Sequence, residues 1–294
     1  MGTVSEMIRV AVIGSTGQLG SDLVRVLQRA GNYRVFPLSH NEVECIEPDS
    51  VKRAITNIHP EVVVNGAAFV RVDECEDRPD DAFRVNTLGA LNVARVCAEL
   101  NALCVYISTD YVFDGKKGEP YTEEDSPCPI NVYGTSKLAG EYLVRQACSK
   151  WLIARMASLF GKAGARGKGG NFIETILTKA RASESLKVVN DIRMSPTYSY
   201  DASCVLENLI GQGATGVFHI TNSGSCTWYE FVQKALDLVG LSAKLESVSS
   251  ADYPTRARRP KNSSLRSVRL SENAIRSWEE ALRAYLIEKA HIPS

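Results

Sequence analysis

The sequence predicts an α/β chain, a doubly wound parallel sheet with a smaller C-terminal lobe. Three observations predict it. Short β-branched runs alternate with longer segments of helical spacing as far as Arg155, the pattern of a parallel sheet with helices on both faces. The first apolar run leads straight into a glycine triplet that opens an amphipathic helix. After Arg155 the alternation loosens, and glycine-rich and proline-flanked basic stretches take over.

Ile8 to Ile13 reads as the first strand and Gly17 to Ala30 as its helix. Tyr33 to Leu38 is a second strand. Pro48 sits near the start of a helix reaching about Ile58, where proline's fixed φ and missing N–H are tolerated. Val62 to Val64 is short and wholly apolar, as a strand covered on both faces should be. A long helix spans about Pro79 to Leu100, and Leu103 to Ile107 is a fourth strand. Another helix covers about Asn131 to Ala147, and Trp151 to Arg155 is a fifth strand. Right-handed crossovers place all strand C-termini on one edge, where such sheets bind ligands.

Beyond that point, Gly161 to Gly170 reads as a mobile loop. A helix at about Phe172 to Ala182, a strand near Val188, a strand at Gly216 to Ile220 and a helix at Trp228 to Val239 follow. The expected division is a dinucleotide-binding Rossmann domain over residues 1–155, with segments near 187–221 returning to it. Residues 156–186 and 222–294 form the expected substrate-binding lobe, which includes the basic, irregular stretch Pro254 to Ser267.

Composition excludes several classes. Hydrophobic residues are 44% and charged residues 23%, which is globular rather than disordered. Lys+Arg and Asp+Glu both total 34, so no net field draws the chain to nucleic acid or an anionic membrane. The opening MGTVSEMIRVAVIG has no apolar signal core, and no run approaches twenty apolar residues; a cytoplasmic protein is expected. Met1-Gly2 is followed by Glu6 where a myristoylation motif wants Ser or Thr. None of the eight cysteines forms a C-x-x-C pair or has zinc spacing, so buried reduced thiols are expected rather than disulfides. Glu123, Glu124 and Asp125 on a polar loop read as a solvated face, and no metal is expected.

Gly14-Ser15-Thr16-Gly17-Gln18-Leu19-Gly20 has the spacing G-x-x-G-x-x-G. Such glycines permit a tight turn, close approach to a diphosphate, and packing of helix on strand. The helix N-terminus adds free N–H donors and partial positive charge. A structural turn is the bland alternative; its place between an apolar strand and an amphipathic helix favours a dinucleotide. Where an acidic residue would end the second strand and hold a ribose hydroxyl, this chain has Ser39-His40-Asn41. No carboxylate there repels a 2′-phosphate and no Arg clamps one, so NADPH is expected, with NADH the alternative. His40 is either a cofactor contact or a surface histidine.

Tyr133 and Lys137 stand at i and i+4, one turn apart on one helix face. An ammonium near a phenol stabilises the phenolate and makes the tyrosine a usable acid. The pattern is frequent by chance. Here it follows the fourth strand, which ends in Ser108-Thr109-Asp110 and so puts a hydroxyl at the same edge. Dinucleotide, hydroxyl and proton donor together specify a hydride-transfer site.

With these segments in hand the chain resembles an extended short-chain dehydrogenase/reductase, and more narrowly the dTDP-4-dehydrorhamnose reductase family. The likeness runs through Gly14 to Gly20 (GSTGQLG), Asn65 to Asp73 (NGAAFVRVD), Ser108 to Gly115 (STDYVFDG) and Asn131 to Glu141 (NVYGTSKLAGE). It continues in Gly170 to Thr175 (GNFIET), Ser195 to Tyr198 and Arg259 to Leu265 (RPKNSSL). The resemblance implies hydride transfer to C4 of a dTDP-linked 4-keto-6-deoxyhexose. Tyr133 is then the proton donor, Lys137 its partner on the nicotinamide ribose, and Thr109 the hydroxyl on the carbonyl oxygen. Ser39, His40, Glu44, Cys45, Ala67, Ala68, Phe69 and Asn86 match the cofactor cleft. Val72, Ser108, Asp110, Ser158, Asn171 and Arg259 match the sugar-nucleotide side, where Arg256, Arg258 and Arg259 either pair with the diphosphate or form a solvated basic loop.

The product implied is a rhamnose-type nucleotide sugar for cell-surface polysaccharide, and relatives are often homodimers. The family usually has Trp where this chain has Ser158, Tyr where it has Phe69, and Asp-Ile where it has Glu44-Cys45; the acidic-Lys-Ala-Glu stretch reads Asp73-Glu74-Cys75-Glu76. These departures bear on the sugar more than on the reaction. A related nucleotide-sugar reductase or epimerase, and a non-catalytic dinucleotide-binding regulatory subunit like the relative that binds methionine adenosyltransferase, are the alternatives.

Overall fold

The computed structural model describes residues 7–164, 170–271 and 274–293. The first half contains β1 (Ile8–Ile13), α1 (Gln18–Ala30), β2 (Tyr33–Leu38), α2 (Pro48–Thr56), β3 (Val62–Asn65), α3 (Val72–Asp77) and α4 (Pro79–Phe83). A π-helical turn, Arg84–Leu88, joins α4 to α5 (Gly89–Glu99), and β4 (Leu103–Thr109) runs into a 3₁₀ turn at Asp110–Val112. Then come α6 (Val132–Ala147), β5 (Trp151–Met156), β6 (Leu159–Phe160), α7 (Phe172–Arg181), β7 (Leu186–Val189), β8 (Arg193–Met194), β9 (Thr197–Tyr198) and α8 (Ser199–Gly211). The chain closes with β10 (Gly216–His219), β11 (Cys226–Thr227), α9 (Trp228–Val239), β12 (Leu245–Val248) and α10 (Trp278–Glu288).

Six strands form one parallel sheet in the order β10-β5-β4-β3-β1-β2. The direction of winding reverses between β1 and β3, which sets the ligand crevice at their C-terminal ends. Strand side chains alternate between two cores. One packs Val10, Val12, Val105 and Leu152 against Leu19, Leu23 and Leu27 of α1 and Leu206 and Leu209 of α8. The other packs Ala11, Val63, Cys104, Tyr106 and Ile153 against Val51 and Ile55 of α2, Val93 and Cys97 of α5, and Val144 of α6. The sheet is thus doubly wound, as its near-continuous apolar strands require.

A third core joins α7, α9 and α10 through Ile173, Leu177, Phe231, Leu236, Leu282 and Leu286. The strand near Val188 belongs here: β7 pairs with β12, not with the large sheet. Its register partners are Leu245–Val248, half-buried apart from the exposed Ser247, so the run is taken up by a later strand of the C-terminal lobe. The segments that do rejoin the large sheet are α8, against α1, and β10, at its edge beside β5. The helix expected at Pro79–Leu100 is α4 and α5 with the π turn between them, and α3 precedes it unforeseen. Of the glycine-rich loop at 161–170, residues 165–169 lie outside the described residues.

Candidate functional site

The glycine turn is built from backbone. Gly14 takes φ +77°, a left-handed conformation that favours glycine. Its N–H and that of Ser15 donate to Leu38 O at 2.9 and 3.2 Å, tying the turn to the end of β2. A Cβ on Gly20 would lie 2.2 Å from Gly14 O, so only glycine lets α1 come this close. Gly17 caps α1 without any side-chain hydrogen bond, which leaves first-turn N–H groups for an anion. Thr16 is exposed beside them and Gln18 is half-buried, while the Leu19 side chain is in the core and presents only its backbone. These residues fit a dinucleotide diphosphate.

The neighbouring walls are less open. At the end of β2, Ser39 N donates to Glu42 Oε2 at 2.7 Å and the Ser39 hydroxyl bonds the same carboxylate. A carboxylate therefore does reach this corner, from Glu42, the residue just after the Ser39-His40-Asn41 stretch. His40 Nε2 pairs with Glu44 Oε2 at 3.3 Å. Cys45 is buried, its thiol pushed up to about 12 by burial, and its carbonyl accepts from Asn92 Nδ2 at 3.0 Å. Ala67, Ala68 and Phe69 form the half-buried loop after β3. Asn86, in the π turn, holds that loop. Its Oδ1 accepts from Phe69 N at 2.8 Å, and its Nδ2 donates to Phe69 O at 3.2 Å and Ser136 Oγ at 3.0 Å. Asn86 is fully buried and braces the cleft wall against α6; π turns recur at such places.

The side chains expected to react lie near the end of β4. Asn131 caps α6, its Oδ1 accepting from Gly134 N at 2.7 Å, which starts the helix so that Tyr133 faces the strand end. Thr109 lies beside the Tyr133 hydroxyl and favours its ionised form, and the Tyr133 ring meets Tyr111 edge-on at 6.0 Å. Burial outweighs that influence and pushes the phenol well above its usual range, so it rests protonated. One turn on, Lys137 is 1% exposed. Its Nζ donates to Ile107 O at 2.6 Å and lies 3.9 Å from the Tyr106 ring centre. Burial lowers this ammonium to about 7, opposed by Glu141. Thr109 Oγ1 also donates to the buried Asp110 at 2.9 Å.

On the far side, Val72 opens α3 and Asp73 grips Arg259 in a fork of 3.1 and 2.7 Å. Arg259 Nη1 also donates to Ala257 O at 3.2 Å, and Arg256 pairs with Asp77. The basic cluster is therefore largely latched onto α3, with Arg258 exposed. Ser158 is half-buried at φ +42°. Two predicted residues are occupied within the fold. Ser108 Oγ donates to Glu141 Oε1 at 2.5 Å on the α6 side of the sheet. Asn171 caps α7 and its Nδ2 donates to Gly161 O and Tyr285 OH at 2.9 and 2.7 Å.

Sequence reading missed Tyr111, Glu141 and Arg155. Glu141 stands one turn beyond Lys137 on the same face, a signal that was available; its pairing with Arg155 on β5 was not. Of the acidic trio, Glu123 is half-buried and held by the fold: it accepts from His219 N, Ser267 Oγ and Val268 N at 2.8, 2.5 and 2.9 Å. Glu124 is exposed, and Asp125 pairs with Lys117 at 2.7 Å. All eight cysteines are free, seven of them buried or half-buried. Among the described residues no cluster of three or more His, Cys, Asp and Glu side chains could hold a metal, and no helix is long and apolar enough to cross a membrane.

Comparison with known proteins agrees with this architecture. The family model described as the RmlD substrate binding domain matches residues 8–291. The chain is 38% identical to the spore coat polysaccharide biosynthesis protein SpsK of Bacillus subtilis, over 97% of this chain and 99% of that protein. It is 33% identical to the dTDP-4-dehydrorhamnose reductase of Escherichia coli, over 96% of this chain and 98% of that enzyme. The crystal structure of dTDP-4-dehydrorhamnose reductase from Bacillus anthracis in complex with NADP superposes with a TM-score of 0.89 at 35% identity, covering 96% of this chain and 99% of that one. The chain belongs to the RmlD substrate binding domain family.

Proposed function

We propose that this protein is an NADPH-dependent dTDP-4-dehydrorhamnose reductase, reducing the 4-keto group of a dTDP-4-keto-6-deoxyhexose. The arrangement that carries the reading is Tyr133 beside Thr109 at the end of β4, with Lys137 one turn away on α6 and its Nζ on Ile107 O at 2.6 Å, and an open backbone cradle on the same sheet edge. The reductases named above, one of them holding NADP, support it.

Bound NADPH supplies hydride to the carbonyl carbon. Gly14, Thr16, Gly17, Gln18, the Leu19 backbone and Gly20 hold its diphosphate; Ser39, His40, Glu44 and Cys45 flank the adenosine end; Ala67, Ala68 and Phe69 line the cleft that Asn86 braces. Thr109 orients the carbonyl oxygen by its hydroxyl. Tyr133, protonated at rest, donates its proton to the developing alkoxide. Lys137 compensates the phenolate left behind and holds the nicotinamide ribose. Val72, Asp110 and Arg259 face the sugar nucleotide. The third core carries the substrate lobe, and Asn171 and Ser108 act by supporting it and α6. The product feeds a polysaccharide, as the name of the Bacillus subtilis relative suggests. The same reading places the enzyme in the cytoplasm, as a homodimer.

Ser158 favours a second reading within the same chemistry. A serine in place of the family's tryptophan leaves the sugar pocket a different shape, suited to another 4-keto-6-deoxyhexose. Mixing protein, NADPH and a panel of dTDP-4-keto-6-deoxyhexoses, and following the absorbance of the reduced nicotinamide, decides. Oxidation fastest with dTDP-4-dehydrorhamnose is expected. Tight NADPH binding with no oxidation on any sugar would instead mark a regulatory subunit.

A further inference from the structure

The reaction uses Lys137, yet Lys137 does not stand alone. Around it the fold has buried a pair of charges that touches neither the expected substrate nor the cofactor cradle. Glu141 is 2% exposed and Arg155 4%. Arg155 Nε and Nη2 donate to Glu141 Oε1 and Oε2 at 2.9 and 2.6 Å, a two-pronged grip. Glu141 Oε1 also takes the Ser108 hydroxyl at 2.5 Å, and Ser108 follows Ile107, whose carbonyl holds the Lys137 ammonium at 2.6 Å. Lysine, carboxylate and strand carbonyl are thus threaded through two adjacent residues of β4 and two adjacent turns of α6.

Arg155 continues the chain outward. Its guanidinium carbon lies 5.3 Å from the Phe113 ring centre, and Nη1 stands 3.5 Å from His219 Nε2. His219 Nδ1 faces two carbonyl oxygens, Tyr121 O at 3.1 Å and Arg266 O at 3.3 Å, so Nδ1 carries the proton and Nε2 accepts. Burial holds this imidazole down to about 4 despite Glu123, so it is neutral and adds no charge. A buried ion pair is a poor stabiliser, because desolvation offsets the attraction. Its retention here calls for another role.

We propose that Glu141, gripped by Arg155, is a positioning residue that sets the place and the charge of the Lys137 ammonium for proton transfer. The proposal rests on the reductase reading above. The ionisable groups around the lysine are Tyr106 under its ammonium, Glu141 one turn on, and Arg155 behind that carboxylate; Tyr133 and Asp110 lie at the helix start. Of these, Glu141 supplies the negative charge that acts on Lys137.

The test uses E141Q/R155M, which removes both charges together because E141Q alone would strand a buried guanidinium, and E141D as the conservative rescue. NADPH affinity, read by nucleotide fluorescence, stays within about threefold of wild type if the cradle is intact. The Lys137 Cε resonance is followed against pH by ¹³C NMR, assigned by its loss in K137R. Its midpoint drops by ~1 pH unit in E141Q/R155M, the scale expected on losing the buried negative charge one turn along the helix, and E141D restores most of it. In parallel, kcat of the double variant falls ~10-fold or more at pH 8 and less at pH 6. An unmoved NMR midpoint, or a kcat loss equal at all pH values, would overturn the proposal. If no keto sugar is turned over by wild type, the reductase reading fails, while the NMR midpoint still decides whether Glu141 sets the lysine.

Discussion

The two halves of the site are built by opposite means. At the glycine turn the groups offered to a ligand are backbone N–H donors, and the residues are chosen for the side chains they lack: a Cβ on Gly20 would strike Gly14 O at 2.2 Å. At the end of β4 everything is side chain. Lys137, Glu141 and Arg155 are charges sealed in an apolar core, each satisfied by a partner from another element. A cradle of dipoles costs little to keep empty, because water serves the donors. Buried charges must be paired before any ligand arrives. The turn is therefore a local structure, and the corner a product of the whole sheet.

Loss of chemistry without loss of binding is the sharpest way to separate the two. Tyr133→Phe removes one hydroxyl from the corner and touches nothing in the turn. We expect kcat to fall ~10²–10⁴-fold, the range for a lost general acid, with the NADPH dissociation constant within about threefold of wild type. Rapid-reaction kinetics beside an equilibrium titration measures both. A kcat within tenfold of wild type would show that Tyr133 is not the donor.

The converse is Gly20→Ala. The methyl must push α1 away from Gly14 O, an overpacking that costs about 1–3 kcal/mol. Chemical denaturation should register that loss, and NADPH binding should weaken by a similar factor. Turnover at saturating NADPH should stay near wild type. If affinity is unchanged while stability falls, the turn is a structural joint and not the diphosphate cradle.

This contrast explains what could be read from the sequence. The turn was legible because its determinants are contiguous: an apolar strand, three glycines at fixed spacing and a helix. The sheet was legible for the same reason, each strand being a short apolar run. Tyr133, Lys137 and Thr109 could be named because helix periodicity and strand position are also local. The Arg155 grip on Glu141 could not, since it joins α6 to β5 across the sheet and both residues look like ordinary surface charges in sequence. The α3 latch on Arg259 was hidden likewise, because Asp73 and Arg259 meet only after the chain has folded back. The misplaced strand near Val188 is the same lesson in reverse: a run of that length fits either sheet, and only its partner decides.

The corner should also be the pH-sensitive half. Burial lowers the Lys137 ammonium to about 7 in the ligand-free protein, against the pull of Glu141. The charge is thus present below about pH 7 and lost above it. kcat/KM for NADPH reports ionisations of the free enzyme, so it should be level at low pH and decline above about 7, toward tenfold per pH unit. The stability consequence has the opposite sense. Between about 7 and the lysine's ordinary 10.5 the unfolded chain binds the proton that the folded one has released, so this residue's contribution to stability grows as pH rises through that window. In K137M both dependences should vanish; a kcat/KM profile flat to pH 9 in wild type would remove Lys137 as the titrating group.

The smallest effect concerns how the corner is joined to the C-terminal segment. Asn131 does two things at once: Oδ1 caps α6 through Gly134 N at 2.7 Å, and Nδ2 donates to Arg258 O at 2.9 Å. Loss of an N-cap costs about 1 kcal/mol, and Asn131→Ala should show that loss by denaturation. Asn131→Asp keeps an acceptor for Gly134 N but has no donor for Arg258 O, so it separates the roles. If the cap dominates, the aspartate variant regains most of the stability and holds Tyr133 in place, leaving kcat nearly unchanged. If the tie to residue 258 dominates, both variants lose stability alike and KM for the sugar nucleotide rises in each, because Arg259, next along the chain, then loses its register against Asp73. The corner would in that case depend on the C-terminal segment as closely as it depends on β5.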